Sequence, residues 1–148
     1  MIEASNNSGA TLFTYDLAGH LLGEYNGSGS LIQETVWLGD VPVATIQPNG
    51  SSVAIYYVAT DQLNVPREVI RPSDNAVMWT WYPSPFGIED PNENPQSEGT
   101  FVYDLRFPGQ IAGSWGQLVS NGHRDYDPSI GRYVESDPIG LAGGRRSQ

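Results

Sequence analysis

Three aspartates and Arg124 are packed into residues 124–141, among residues that otherwise favour turns and strands. Asp125 and Asp137 stand twelve positions apart, and Asp127-Pro128 with Ile130-Gly131 between them reads as a turn. A turn there can bring both carboxyls to face one point from neighbouring strands or loop ends. Two carboxyls that close cannot both ionise cheaply, so one keeps a proton near neutral pH and acts as an acid while the other activates water. That is the chemistry of aspartic-type peptide hydrolysis. Arg124 adds planar donors suited to orienting a carboxylate or polarising a carbonyl. Neighbours in a strand point to opposite faces, so Arg124 and Asp125 converge only where a bulge or turn intervenes. The aspartates also read as turn-starters. Asp127-Pro128 and Asp137-Pro138 each join a side-chain acceptor to a proline that fixes φ, and for Asp127 this is the preferred reading.

The elements that must hold these groups follow a period of two rather than 3.6, so an all-β fold of antiparallel hairpins is expected. Residues 12–16 and 21–25 read as a hairpin around Leu17-Ala18-Gly19-His20. After a turn at Asn26-Gly27-Ser28-Gly29-Ser30 come strands at 31–37 and 41–47, then 53–58, 67–71 and 76–82. Residues 90–99 carry too many Pro, Asn and Gly to bury much side chain, and read as a surface loop. Glu89, Asp90, Glu93 and Glu98 lack the alternating spacing and central Gly of a calcium loop, so no metal site is expected there.

The chain has 148 residues, enough for one domain, and its 17 Gly and 11 Pro punctuate short apolar runs. A formal charge of -10 argues against a nucleic-acid backbone or an anionic membrane as partner. Zero cysteines exclude disulfides and thiolate zinc sites. No apolar run reaches bilayer-spanning length, and Met1-Ile2-Glu3-Ala4-Ser5 lacks the pattern of a signal peptide, so a soluble chain is expected. No cofactor is implied.

Several stretches carry a family likeness in order along the chain: Tyr56-Tyr57-Val58-Ala59-Thr60-Asp61-Gln62-Leu63-Asn64-Val65-Pro66-Arg67, Trp79-Thr80-Trp81, Pro85-Phe86-Gly87 and Leu105-Arg106-Phe107-Pro108-Gly109-Gln110. With Arg124-Asp125-Tyr126-Asp127-Pro128 and Asp137-Pro138-Ile139-Gly140-Leu141 they make the chain resemble the core domain of the Rhs/YD-repeat family, found in bacterial polymorphic toxins and in C subunits of insecticidal toxin complexes. The resemblance implies a YD-type repeat region over residues 1–50, an Rhs core over 51–141 and a cargo-junction remnant over 142–148. It also implies hairpins stacked into a spiralling β-shell. Arg124, Asp125 and Asp137 match the positions assigned to self-cleavage in that family, and the cut would fall between Leu141 and Ala142. Asp127, Pro128, Gly131, Arg132, Pro138 and Gly140 would be the motif's structural residues. A downstream toxin would be the cargo, and the seven residues 142–148 are too few to be one. A bacterial protein, cytoplasmic on synthesis and delivered within a larger toxin, is the corresponding location. The alternative is an orphan core with a structural role and no catalysis.

Only one clear repeat is visible, so exposed sheet edges are expected to pair with the rest of a shell or with another copy. Gln62 and Asn64 stand where the family usually has His and Gly. His123 reads as an exposed surface residue and His20 as a structural one. Trp37, Trp79, Trp81 and Trp115 could be read as a sugar-binding set, but alternation in strands explains the first three more simply as packed sheet residues.

Overall fold

The computed structural model describes residues 2–6, 9–113, 117–138 and 140, with side chains from residue 10 onward. Eight strands form one antiparallel sheet in chain order: β1 (Ile2–Asn6), β2 (Gly9–Tyr15), β3 (Leu21–Asn26), β4 (Leu31–Leu38), β5 (Val41–Asn49), β6 (Ser52–Thr60), β7 (Pro66–Arg71) and β8 (Ala76–Thr80). A second, four-stranded sheet follows, in the order β12-β11-β10-β9, from β9 (Gln110–Ile111), β10 (Val119–Asn121), β11 (Arg124–Asp127) and β12 (Arg132–Tyr133). The fold is all-β. Among the described residues no helix is long and apolar enough to cross a membrane.

One loop design recurs three times. Asp16, Asn26 and Asp61 each open a five-residue connection in which the side-chain Oδ1 accepts the amides two and four positions on. The distances are 2.8 and 2.9 Å to Ala18 and His20, 3.0 and 2.9 Å to Ser28 and Ser30, and 2.8 and 3.0 Å to Leu63 and Val65. The fourth residue of each has positive φ: Gly19 at 92°, Gly29 at 81° and Asn64 at 61°. Asn is the side chain that tolerates this region best, which explains how Asn64 fills a glycine's place. The sequence shows one clear repeat; the structure shows its turn at three hairpins. At the first of them His20 bridges Asp16 at 2.8 Å and Asp40 at 3.0 Å and stacks on Trp37 at 4.5 Å.

The core lies on one face of the large sheet. Val58, Val69 and Trp79 are in register across β6, β7 and β8, and the lid over them is a return segment, residues 101–107. Its side chains alternate as in a strand: Phe101, Tyr103 and Leu105 are buried and Val102 is exposed. It pairs with a strand only at its end, where Leu105 bridges Ile111 of β9, and its other bonds go to separate partners. The Phe101 amide donates to the Glu93 carbonyl at 2.8 Å, and Gln47 Nε2 donates to the Val102 carbonyl at 3.0 Å. Aromatic edges knit the layers, with Tyr56 on Phe101 at 4.7 Å and Trp79 on Tyr103 at 5.4 Å. Each such pair adds about 1 kcal/mol beyond its burial. The Arg106 guanidinium lies over the Trp79 and Trp81 rings, 5.7 and 5.4 Å from their centroids.

The loop that follows β8 closes the side of this layer. Thr80 and Asn92 exchange backbone bonds of 3.0 and 2.8 Å, and Glu98 pairs with Arg71 at 2.7 Å. Residues 90–99 thus form a loop that is largely exposed but tied to β7 and β8.

Candidate functional site

The small sheet positions the motif residues. β10 turns into β11 through Gly122-His123, a two-residue loop closed by the Asn121 and Arg124 pairing, with Gly122 at φ 63°. A glycine at that first loop position is what a tight hairpin needs. His123 is exposed on the loop. β11 returns as β12 through Asp127-Pro128-Ser129-Ile130-Gly131-Arg132. Asp127 Oδ1 accepts the Ser129 amide at 2.9 Å and the Ser129 hydroxyl at 2.6 Å, and the Gly131 amide donates to the Asp127 carbonyl at 2.9 Å. The Ser129 hydroxyl's bond first, then the Ser129 and Ile130 amides, hold the Asp127 carboxyl below its usual range. Asp127 therefore serves a turn, Pro128 is buried beneath it, and Arg132 pairs opposite Asp127 at the start of β12.

β10 and β11 pair without a register shift, so Arg124 and Asp125 project from opposite faces. On one face stand Asn121, Arg124, Tyr126 and Tyr133. The Arg124 guanidinium lies 3.8 Å from the centre of the Tyr133 ring, and Tyr133 accepts a 2.7 Å hydrogen bond from Asn121 Nδ2. Arg124 also forms an ion pair with Asp137 at 3.5 Å. Asp137 opens a turn in which the Gly140 amide donates to its carbonyl at 2.8 Å, with Pro138 exposed at the turn and Gly140 at φ 50°.

Asp125 is partly buried, and the acid beside it is Glu135. Glu135 Oε2 accepts the Asp125 amide at 2.7 Å, and the Val134 amide donates to the Asp125 carbonyl at 2.9 Å. Burial first, then the charge and hydrogen bond of Glu135, push the Asp125 carboxyl above its ordinary range. The structure thus joins Arg124 to Asp137 and Asp125 to Glu135. Leu141 and Ala142 lie outside the described residues, as does Trp115.

Glu135 carried no role in the sequence reading, although it stands two positions before Asp137. Its signal is the β11–β12 register: Tyr126 opposite Tyr133 sends the chain back along β11 and past Asp125. A cavity of about 150 Å³ opens beside the same sheet, lined by Trp81, Phe86, Ile88, Arg106, Gln110 and Tyr126 among others. Tyr126 ties that wall to the loop after β8 by donating to the Phe86 carbonyl at 3.2 Å. The described residues contain no group of three or more His, Cys, Asp or Glu able to hold a metal ion.

Recurrent Asx-turn hairpins in one meander, a lid segment, and a small sheet with an Arg–Asp ion pair define a β-repeat protein with a terminal motif sheet. No family model matches the chain. It is 30% identical over 111 residues to Double-stranded DNA deaminase toxin A of Burkholderia cenocepacia, covering 75% of this chain and 8% of that protein. It is 31% identical over 119 residues to Probable deoxyribonuclease RhsB of Dickeya dadantii, covering 78% and 8%. It is 30% identical over 90 residues to Toxin protein Tse5 of Pseudomonas aeruginosa, covering 61% and 6%. The chain belongs to the Rhs family of toxin-related proteins. It spans less than a tenth of the length of these relatives, so what their names say of DNA is said of those proteins.

Proposed function

We propose that the chain is the core of an Rhs-type polymorphic toxin and that its small sheet cuts the chain once, after Leu141, to free a downstream domain. The observation that carries this reading is the Arg124–Asp137 ion pair at 3.5 Å; Asp125 follows Arg124 in β11 but projects from the strand's other face, so the bond to be cut has to be reached from both faces of that strand. The ion pair gives Asp137 the role of carboxylate base, which takes a proton from water as the oxygen attacks the Leu141 carbonyl carbon. Asp125, whose carboxyl keeps its proton to higher pH, is the acid that protonates the Ala142 nitrogen as the C–N bond breaks. The products are the Leu141 carboxylate and a new amino terminus at Ala142, with one water consumed. Arg124 reaches its place through Tyr133, on whose ring it lies. The 1–50 and 51–141 division implied by the family would make β1 to β5 the repeat part and the remainder the core.

Intact-mass measurement of the purified chain tests this. Wild type should lose residues 142–148, and both Asp137→Asn and Asp125→Asn should keep them. Full mass in freshly folded wild type removes the cleavage reading.

A structural reading is favoured by a different observation. Val53, Ile55 and Tyr57 of β6 are each more than half exposed on the face opposite the core. Under that reading the chain completes a β-shell or pairs with another copy. A strict monomer by light scattering at high concentration counts against the self-pairing form.

A further inference from the structure

β12 pairs with β11 at two positions, Arg132 opposite Asp127 and Tyr133 opposite Tyr126. The next amide, that of Val134, still donates to the Asp125 carbonyl at 2.9 Å. In an antiparallel ladder the return bond, from the Asp125 amide, would go to the carbonyl of the facing residue. Here Glu135 Oε2 accepts it instead, at 2.7 Å. A side chain thus takes the place of the main chain where β12 leaves the ladder.

The exchange brings in a charge. Three covalent bonds separate a residue's amide nitrogen from an aspartate's carboxyl carbon, so a carboxylate oxygen on the Asp125 amide stands within roughly 6 Å of the Asp125 carboxyl. Like charges at that range disfavour each other's ionised form. The neighbouring elements offer Asp125 few other charges. Ser120, opposite it on β10, is uncharged, and Arg124 is turned to the other face with Asp137. Asp127, two residues on, is committed to Ser129. Arg132 is exposed two pairs further along the ladder, and His123 is exposed on the hairpin loop.

We propose that Glu135 is a positioning residue of the cleavage site, which holds the Asp125 backbone by its hydrogen bond and sets its own charge against the Asp125 carboxyl, so that Asp125 serves as the acid. The inference rests on the reading of Asp125 as the acid of self-cleavage and adds a residue to it. Burial and then Glu135 raise the Asp125 carboxyl, in the direction this role requires.

Two substitutions separate the hydrogen bond from the charge. In Glu135→Gln the carboxamide oxygen still accepts the Asp125 amide, but the charge is gone; Glu135→Ala removes both. Glu135 is exposed, so neither change reaches the core. The first measurement is the carboxyl carbon shift of Asp125 against pH in the full chain. Wild type should titrate above the ordinary 3.8, and Glu135→Gln at lower pH than wild type. The second is the loss of residues 142–148, followed by intact mass in timed samples of cell-free synthesis moved to a series of pH values. Above both midpoints the rate follows the protonated fraction of Asp125, so each pH unit by which the midpoint falls should slow Glu135→Gln by about tenfold. The falling limb of its pH profile should move to lower pH, whereas Glu135→Ala should be slower at every pH. Normal cutting by Glu135→Gln with an unshifted Asp125 midpoint overturns the role of Glu135 alone. Full mass at every time in wild type takes away the cleavage reading, and this role with it.

Discussion

Substituting Gly87 by alanine probes how the loop after β8 seats on the core. Ser84-Pro85-Phe86-Gly87 is a turn closed by a 3.0 Å bond from the Gly87 amide to the Ser84 carbonyl, and it leaves Gly87 at φ 75°. A Cβ built there would lie 2.8 Å from Phe107 Cε2 and 3.4 Å from Trp81 Cζ2. Those rings pack on each other at 5.2 Å, and Trp81 is fixed by donating from Nε1 to the Glu89 carbonyl at 2.7 Å. The left-handed backbone costs alanine about 1–2 kcal/mol, and forcing the ring pair apart adds about 1–3 kcal/mol. Gly122→Ala is the matched control, because Gly122 has φ 63° but open space around its Cα; it carries the backbone cost alone. Guanidinium denaturation followed by tryptophan fluorescence should place Gly87→Ala below Gly122→Ala by about 1–3 kcal/mol. Two variants equal within about 0.5 kcal/mol would refute the argument that this turn is wedged between Trp81 and Phe107.

Trp79→Ala should cost about 3–5 kcal/mol in the same denaturation assay, since Trp79 is fully buried beneath Tyr103 and Arg106. Trp79→Phe should cost distinctly less, because the indole Nε1 has no hydrogen-bond partner among the described residues and its loss leaves none unpaired. His20, raised first by the Asp16 hydrogen bond, contributes stability that is complete below pH 6.5 and lost as pH rises through its folded value. The stability difference between wild type and His20→Gln should therefore shrink on going from pH 6 to pH 9, and a constant difference would contradict the bridge from Asp16 to Asp40.

The large sheet was legible because its turns are written in residues that punctuate. Strands expected at 31–37 and 41–47 are observed as Leu31–Leu38 and Val41–Asn49, since Gly39 and Gly50 stop them. The expected strand at 76–82 ends at Thr80, where β8 passes its pairing to Asn92. β1 was not anticipated, and neither was the lid formed by residues 101–107. Phe101, Tyr103 and Leu105 alternate as a strand would, but only the tertiary layer says what they cover. The burial of Glu24 was hidden by a bulge. Counting by twos from buried Leu21 places Glu24 outward, but the register shift between β2 and β3 leaves Leu22 unpaired and turns Glu24 in. For the motif sheet the sequence named Arg124, Asp125 and Asp137. Which acid stands beside which depends on how β12 runs back along β11, and spacing alone carries no such information.

The strand order of the large sheet has a kinetic consequence. Each strand pairs with the one before it in the chain, so the meander can assemble hairpin by hairpin from local contacts, the kind that close fastest. The contacts that make it a layered protein span far more chain: Gln47 donates to Val102 across 55 residues, and Tyr56 packs on Phe101. During synthesis the sheet is made while its apolar face is still bare, and Trp79 stays open to water until the ribosome has released residues 101–107. The late arrival of that short segment, rather than strand formation, sets when the molecule becomes cooperative.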